Sequence, residues 1–491
     1  MTENVRYDGS LKASVILKDL APFVPALSRF EEPLDLNLVF SGHGKHLDCP
    51  TLQLANHHGL MIAGEAALSN WDAGMDMYIY GKLGNLIMTK EGINVLMTNL
   101  TGKVPPILQR LDYIRFNGEA AGYLHDLTLT GLFYTGAGMV KTDVMMSIDE
   151  QSMSRTYSGS VASADLDLGK LLNQEKKFGK VDFNVELKGF NYKNRYPESY
   201  IKGIISSFEY SQYQYENIML DGVYKDGGFN GRLSMDDANG SVQIDGNFNV
   251  AKTIPDFNLK ASVKNLRPHD LHLSDKYENA SISLGLTADF TGKSIDDMNG
   301  RISLDSLQLN APDERGCFLD NLTITAGQVS GEKELRINSS FMTAVIRGDY
   351  SYHTIPASVV KTVQRYIPSL LTIKDNMPEP HNNFQFDICL ENTEVLSKLF
   401  QIPLELYLPA SLKGYFNDGE EKLHVEGHFP EFRYNGTRYD SGVLFCENPS
   451  DRFKCSLRGG MLMKSGAMLN FSVEANAKND HLETTINWGN N

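Results

Sequence analysis

With 491 residues the chain exceeds the size at which one hydrophobic core stops growing, so it must be several domains or a continuous repeat array. Its 41% hydrophobic content, 42 Gly against 18 Pro, and 22 Tyr with 24 Phe against 2 Trp suit many short strands and turns rather than long helices. A formal net charge of −15 without a basic stripe argues against nucleic acid as a partner, and no run of about 18 apolar residues is present to span a bilayer as a helix.

The opening Met1 to Gly9 is too polar for a signal peptide, and Leu11 to Leu17 begins in mid-strand pattern, so the chain reads as an interior segment of a longer protein. Period-two alternation then recurs along its length. It appears at Leu34, Leu36, Leu38 and Phe40; at Leu127 and Leu129; and at Val181, Phe183, Val185 and Leu187. It returns at Ile282, Leu284, Leu286, Ala288 and Phe290, and at Ile302 and Leu304. Each set places apolar groups on one face of a strand and mostly polar groups on the other. Gly64, Gly81, Gly118, Gly131, Gly222, Gly231, Gly246 and Gly300 are expected to mark the reversals between strands.

Four stretches share a longer grammar of strand, short breaker, helical or looped link, and strand, beginning near Lys12, Ser158, Asn258 and Phe384. Their links run over Asp19 to Leu27, Asp165 to Leu172, Asn265 to Leu271 and Asn392 to Phe400. The skeleton Ser-x-Asp-Asp-x-Asn-Gly occurs twice, at Ser234 to Gly240 and Ser294 to Gly300. Asp, Asn and Gly tolerate the left-handed backbone of a tight reversal, so both copies are expected to close hairpins, with Ser241 to Phe248 and Arg301 to Leu309 as the outgoing strands. Pro356 to Ile367 reads as an amphipathic helix with Val359, Val360, Val363, Tyr366, Ile367 and Leu370 on one side. The polar stretch Lys374 to Asn383 is the best linker candidate. The resulting modules are 1–156, 157–257, 258–373 and 384–491, read as parts of one array.

Catalytic signatures fail on inspection. Gly292-Lys293-Ser294 is only the tail of a phosphate-binding loop, because position 287 is Thr rather than Gly. Calcium-loop spacing around Asp237, Asn239 and Gly240 puts Met235 first and Gly246 last, and the second copy fails in the same way at Ile295. His43, His46, Asp48 and Cys49, with His57 and His58 beyond, are the nearest approach to a metal set, but alternation sends several of them to opposite faces. No nucleophile elbow or zinc-protease helix occurs, so a non-enzymatic protein without metal or cofactor is expected. Five cysteines, Cys49, Cys317, Cys389, Cys446 and Cys455, form no Cys-x-x-Cys pair; Cys446 and Cys455 could approach each other across a hairpin, either as a disulfide or as two buried small side chains.

The stretches Asn217 to Gly246, Ile254 to Val263, Leu11 to Gly64 and Gly118 to Ser147 resemble the repeat units of the TamB and AsmA-like envelope proteins, particularly their Bacteroidetes members. The resemblance covers most of the chain and rests on strand-and-turn grammar. It implies an all-β fold: a long, repetitive, curved, antiparallel-rich sheet forming a groove, with a few short amphipathic helices. It further implies a periplasmic, cell-envelope protein anchored in the inner membrane through parts outside this segment, conducting phospholipid between membranes or supporting outer-membrane assembly with a protein partner there. The chain departs from the full-length pattern in lacking the membrane anchor and the C-terminal domain.

The residues alone leave a groove and a two-sheet sandwich open, since alternation describes both. In the groove reading, the lining comprises Leu36, Leu38, Phe40, Leu127, Leu129, Val181, Phe183, Val185, Leu187, Ile282, Leu284, Leu286, Ile302 and Leu304. Two other functions compete with lipid conduction: a chaperone-like scaffold acting by β-augmentation, and an extracellular adhesin or glycan-binding array for which Tyr210, Tyr213 and Tyr215 would be the platform.

Overall fold

The computed structural model describes residues 5–20, 28–149, 151–152, 154–191, 198–276, 278–312, 316–370, 381–400 and 402–490. The protein is all-β, 65% strand and 10% helix, with 28 strands in one antiparallel sheet that is not closed into a barrel. Two compact units divide the chain, Met1–Gln243 and Ile244–Asn491, with the boundary inside a strand.

Unit 1 begins with β1 (Arg6–Ile16), β2 (Pro33–His43), β3 (His46–Ala55), β4 (Leu60–Ser69) and β5 (Tyr78–Thr89). Helices α1 (Lys90–Thr101) and α2 (Pro106–Gln109) follow, then β6 (Tyr113–Tyr123), β7 (Asp126–Thr135), β8 (Gly138–Ile148) and β9 (Arg155–Asp167). After α3 (Leu168–Leu172) come β10 (Phe178–Asn191), β11 (Glu198–Tyr210), β12 (Tyr213–Lys225) and β13 (Gly228–Asp237). Each strand pairs antiparallel with the next, from β1 to β13.

The boundary falls in β14 (Gly240–Asn249). Unit 2 continues with β15 (Asp256–Leu266), β16 (Ser281–Thr291), β17 (Asn299–Asn310), β18 (Cys317–Val329), β19 (Glu332–Ser339) and β20 (Met342–Asp349). Helix α4 (Ile355–Gln364) precedes β21 (Asn383–Leu390), and α5 (Glu394–Phe400) precedes β22 (Leu404–Leu406) and β23 (Ala410–Asn417). The unit ends with β24 (Lys422–Tyr434), β25 (Thr437–Glu447), β26 (Phe453–Leu462), β27 (Met468–Lys478) and β28 (His481–Asn490). Here too the order is a meander, except that β21 pairs with β23 and short β22 sits against β24.

Two-residue turns with both residues left-handed join several hairpins, as at Ser211-Gln212, Asp226-Gly227, Asn435-Gly436 and Asn479-Asp480. This turn type matches the native strand twist. The first Ser-x-Asp-Asp-x-Asn-Gly copy leaves only Ala238 and Asn239 between β13 and β14, the tight hairpin expected. The second spans residues 292–298 between β16 and β17 and is a longer loop. Its Asp296 accepts bonds from Ser351 Oγ and Tyr352 N, at 2.8 and 2.7 Å, and these distant partners draw the segment out of hairpin register. Asp297 folds back to accept from Ser294 Oγ and the amides of Ser294 and Lys293, which pushes its carboxyl pKa down to about 2.

The glycines expected at reversals lie within strands instead: Gly64 in β4, Gly81 in β5, Gly118 in β6, Gly131 in β7, Gly222 in β12, Gly231 in β13, Gly246 in β14 and Gly300 in β17. The reason is close approach. Gly118 and Gly131 pair across β6 and β7 with the Phe116 ring laid over both, and a Cβ on either would sit 2.6 Å from that ring. Gly222 is covered by Phe229 in the same manner, at 2.5 Å. Aromatic side chains therefore lie flat along the sheet where neighbouring residues are small, as in aromatic rescue of strand glycines.

The four expected links are found where described: a 3-10 turn at Leu17–Leu20, α3, a looped 267–274 segment, and α5. The remainder of the first link, 21–27, and Lys374 to Pro380 of the linker lie outside the described residues. Helix α4 matches the expected position, but its buried side chains include Ser358 and Thr362, whereas Val360 and Leu370 are exposed. Polar contacts beneath the helix set this orientation.

Candidate functional site

The lining residues read from the sequence share one face of the sheet within each unit. In unit 1, Leu36 and Leu38 stand opposite Ala13 and Leu11 of β1 and opposite Leu54 and Leu52 of β3, with Phe40 opposite Gly9. Leu127 and Leu129 pair with Met146 and Val144. Val181, Phe183, Val185 and Leu187 pair with Phe208, Ile205, Gly203 and Ile201. In unit 2, Leu284 and Leu286 face Val263 and Ala261, Ile282 faces Leu266 and Leu309, and Ile302 and Leu304 face Ile324 and Leu322. Every lining residue read from the sequence is half-buried except Val181, which is buried. A sealed sandwich core would bury most of them, so among the described residues nothing fully covers the middle of this apolar face.

The strand ends differ. In unit 1, α1, α2 and α3 gather at one end, where Ile93, Leu111, Ile114, Ala137, Leu166 and Val181 form a buried cluster. Thr89 caps α1 by accepting from Gly92 N, and left-handed Gly102 ends it. The aromatic group beside this cluster includes Tyr210, Tyr213 and Tyr215; Tyr213 donates to Asp237 at 2.6 Å. Burial and that bond push the Tyr213 pKa up to about 12, and Tyr215 is buried.

Unit 2 carries two such caps. Helix α5 covers Leu307, Leu319 and Phe341 at one end, through Val395, Leu396 and Leu399. Helix α4 covers Leu335, Tyr350, Phe384, Phe416 and Leu423 at the other, through Ile355 and Val359. A polar latch lies under α4: Asn382 Nδ2 donates to Ser358 Oγ at 2.6 Å and to Thr354 Oγ1 at 3.0 Å. Asp418 accepts from Ser358 Oγ and from Asn382 N, both at 2.9 Å. Asn382 and Ser358 are almost wholly buried, so each bond here satisfies a group with no water available.

The opposite face is charged and cross-paired, as in Lys82 with Glu119 at 3.4 Å and Lys413 with Glu426 at 3.1 Å. Exposed pairs of this kind contribute about 0–1 kcal/mol each and serve mainly to keep the face wet. Concavities open on it, one in unit 1 lined by Lys12, Asn37 and Gln53 (710 Å³) and one in unit 2 lined by Arg336, Arg347 and Lys413 (790 Å³).

The histidine-rich hairpin does not assemble a metal site. His46 bonds Ser69 Oγ at 2.7 Å and Asp48 at 2.9 Å, while Cys49 is buried on the other face. No group of three or more potential ligands converges among the described residues. His58 instead bridges Glu91 of α1 at 2.7 Å and Glu32 at 3.2 Å, and the Glu91 bond raises its pKa. Cys446 and Cys455 pair directly across β25 and β26, Cα to Cα 4.1 Å, as a disulfide on the apolar face.

No protein family, curated protein or solved structure matches this chain. The caps α1 and α2 escaped the sequence reading, although Ile93, Leu96, Met97 and Leu100 carry helical spacing between Thr89 and Gly102.

Proposed function

We propose that the apolar face of each unit holds phospholipid acyl chains, in a non-enzymatic envelope protein that conducts lipid between membranes. The observation that carries this reading is the half-buried state of the lining residues that lie outside the capped strand ends. Apolar side chains in that state gain free energy from any apolar cover, at about 25 cal/mol per Å² removed from water. Acyl chains supply such cover without competing for hydrogen bonds, and the ladder of each interior strand is already satisfied by its neighbours. Thirteen strands, β1 to β13, spaced at about 4.8 Å make a run of about 60 Å in unit 1, ample for lipid lying across the strands. On this reading the protein acts in the periplasm, with the inner-membrane anchor and outer-membrane assembly partner contributed outside the segment.

A photoreactive residue at Leu38, Leu129 or Leu286, lining positions outside the capped clusters, is expected to crosslink phospholipid that co-purifies with the protein. Recovery of lipid-free protein with no crosslinked lipid from any of the three positions overturns the proposal.

A second reading, a scaffold for strand addition, draws on β28. All ten of its residues are exposed, and β27 is its only partner among the described residues. It predicts crosslinks from β28 backbone positions to a client strand.

A further inference from the structure

The outward face of unit 2 departs from its surroundings at one place. Across β20, β21, β23 and β24, Arg347, Gln385, Tyr415 and His424 stand in direct register. They form a strip of four side chains over about 14 Å. Two concavities, of 790 and 450 Å³, share Arg347, Gln385 and Tyr415 in their walls and so adjoin along this strip. Tyr415 is 46% exposed and stacks on His424, with ring centroids 5.4 Å apart and planes 17° apart; His424 in turn meets the Phe445 edge at 5.3 Å.

Every cation around the strip is already paired. Arg336 and Arg347 both bind Glu334, Lys413 binds Glu426, and Lys422 binds Glu420. An anionic ligand would have to break these pairs, which disfavours a phosphate or carboxylate. The Gln385 amide and the Asp387 carboxylate, by contrast, make no hydrogen bond to another described residue, although both are exposed in the concavity. An exposed aromatic ring beside unengaged amide and carboxylate groups suits a ligand with alternating C–H faces and hydroxyl edges. A strip four side chains long suits a chain of such units rather than one.

We propose that this strip binds a neutral oligosaccharide lying across the strands, with a sugar ring on Tyr415 and hydroxyls bonded to Gln385 and Asp387. The site is on the face opposite the apolar lining and does not depend on lipid binding. It also differs from the Tyr210, Tyr213 and Tyr215 group, whose Tyr215 is buried.

Saturation-transfer NMR with β-1,4-glucan, α-1,4-glucan and β-1,4-mannan hexasaccharides tests it on the full chain. Transfer to at least one of the three is expected, weakened at least tenfold in affinity by Tyr415→Ala and several-fold by Gln385→Ala, with Tyr415→Phe retaining most binding. Unchanged circular dichroism and melting of the variants separate loss of contact from loss of fold; a Tyr415→Ala protein that misfolds leaves the comparison to Gln385→Ala and Tyr415→Phe. Absence of transfer to all three sugars, transfer indifferent to both Tyr415→Ala and Gln385→Ala, or binding confined to an acidic hexagalacturonate each overturns the proposal.

Discussion

Among the described residues, unit 1 covers its apolar face at one strand end, with α1, α2 and α3 together, whereas unit 2 covers its face at both ends, with α5 at one and α4 at the other. The covered ends are conventional core: Ile93 and Phe416 are each 1% exposed. Between them the same alternating strands leave their side chains half-buried. The lesson is that alternation specifies which face is dry, while the links between strands decide how much of it is closed. The two kinds of cap also differ in chemistry. Helix α1 packs an apolar stripe, but α4 buries Ser358 and Thr362 and is latched through Asn382 and Asp418.

The largest expected effect comes from the closed end. Phe416→Ala removes a fully buried ring from the α4 end and is expected to destabilise unit 2 by about 3–5 kcal/mol. Leu129→Ala, in the open middle of unit 1, is expected to cost under half of that, and equal losses in urea unfolding would erase the distinction between capped and open regions. Asp418→Ala leaves Ser358 Oγ and Asn382 N without their acceptor, at a cost of about 1–3 kcal/mol; hydrogen exchange should show α4 loosening before α5. Thr89→Ala is expected to cost about 1 kcal/mol by removing the α1 cap, read as a lower melting temperature.

The smallest effect is pH-dependent. Because the Glu91 bond and the nearby Glu32 charge raise the His58 pKa, the clip between α1 and the β3–β4 turn contributes fully below the ordinary histidine pKa. Its contribution is lost as pH rises through the raised folded-state value. Melting curves taken from about pH 5 to about pH 8 should show this slope in the native protein and a flatter one in His58→Ala; identical slopes would remove the clip from the account.

The division of strands into dry and wet faces was legible because a period of two survives any tertiary arrangement, and Leu36, Leu129, Phe183 and Leu304 all took the expected side. The glycines were misread because a strand glycine under an aromatic ring and a turn glycine look alike in one dimension. Gly118 and Gly131 are explained only by their cross-strand pairing beneath Phe116. The second Ser-x-Asp-Asp-x-Asn-Gly copy differs from the first because Asp296 is held by residues 55 and 56 positions away. The α4 latch was illegible for the same reason, since Ser358 finds Asn382 and Asp418 at separations of 24 and 60. Helix α1 was missed although its cap, spacing and terminal glycine are all present in the sequence.

Photocrosslinking from paired positions tests the central claim most directly: Val185 on the apolar face beyond the capped cluster of unit 1, Phe416 in the closed end of unit 2, and Lys188 on the outward side of the Val185 strand. The account predicts crosslinked phospholipid from position 185 and none from 416 or 188. Equal lipid labelling at all three, or none at 185 in protein purified with its native lipid, would contradict it.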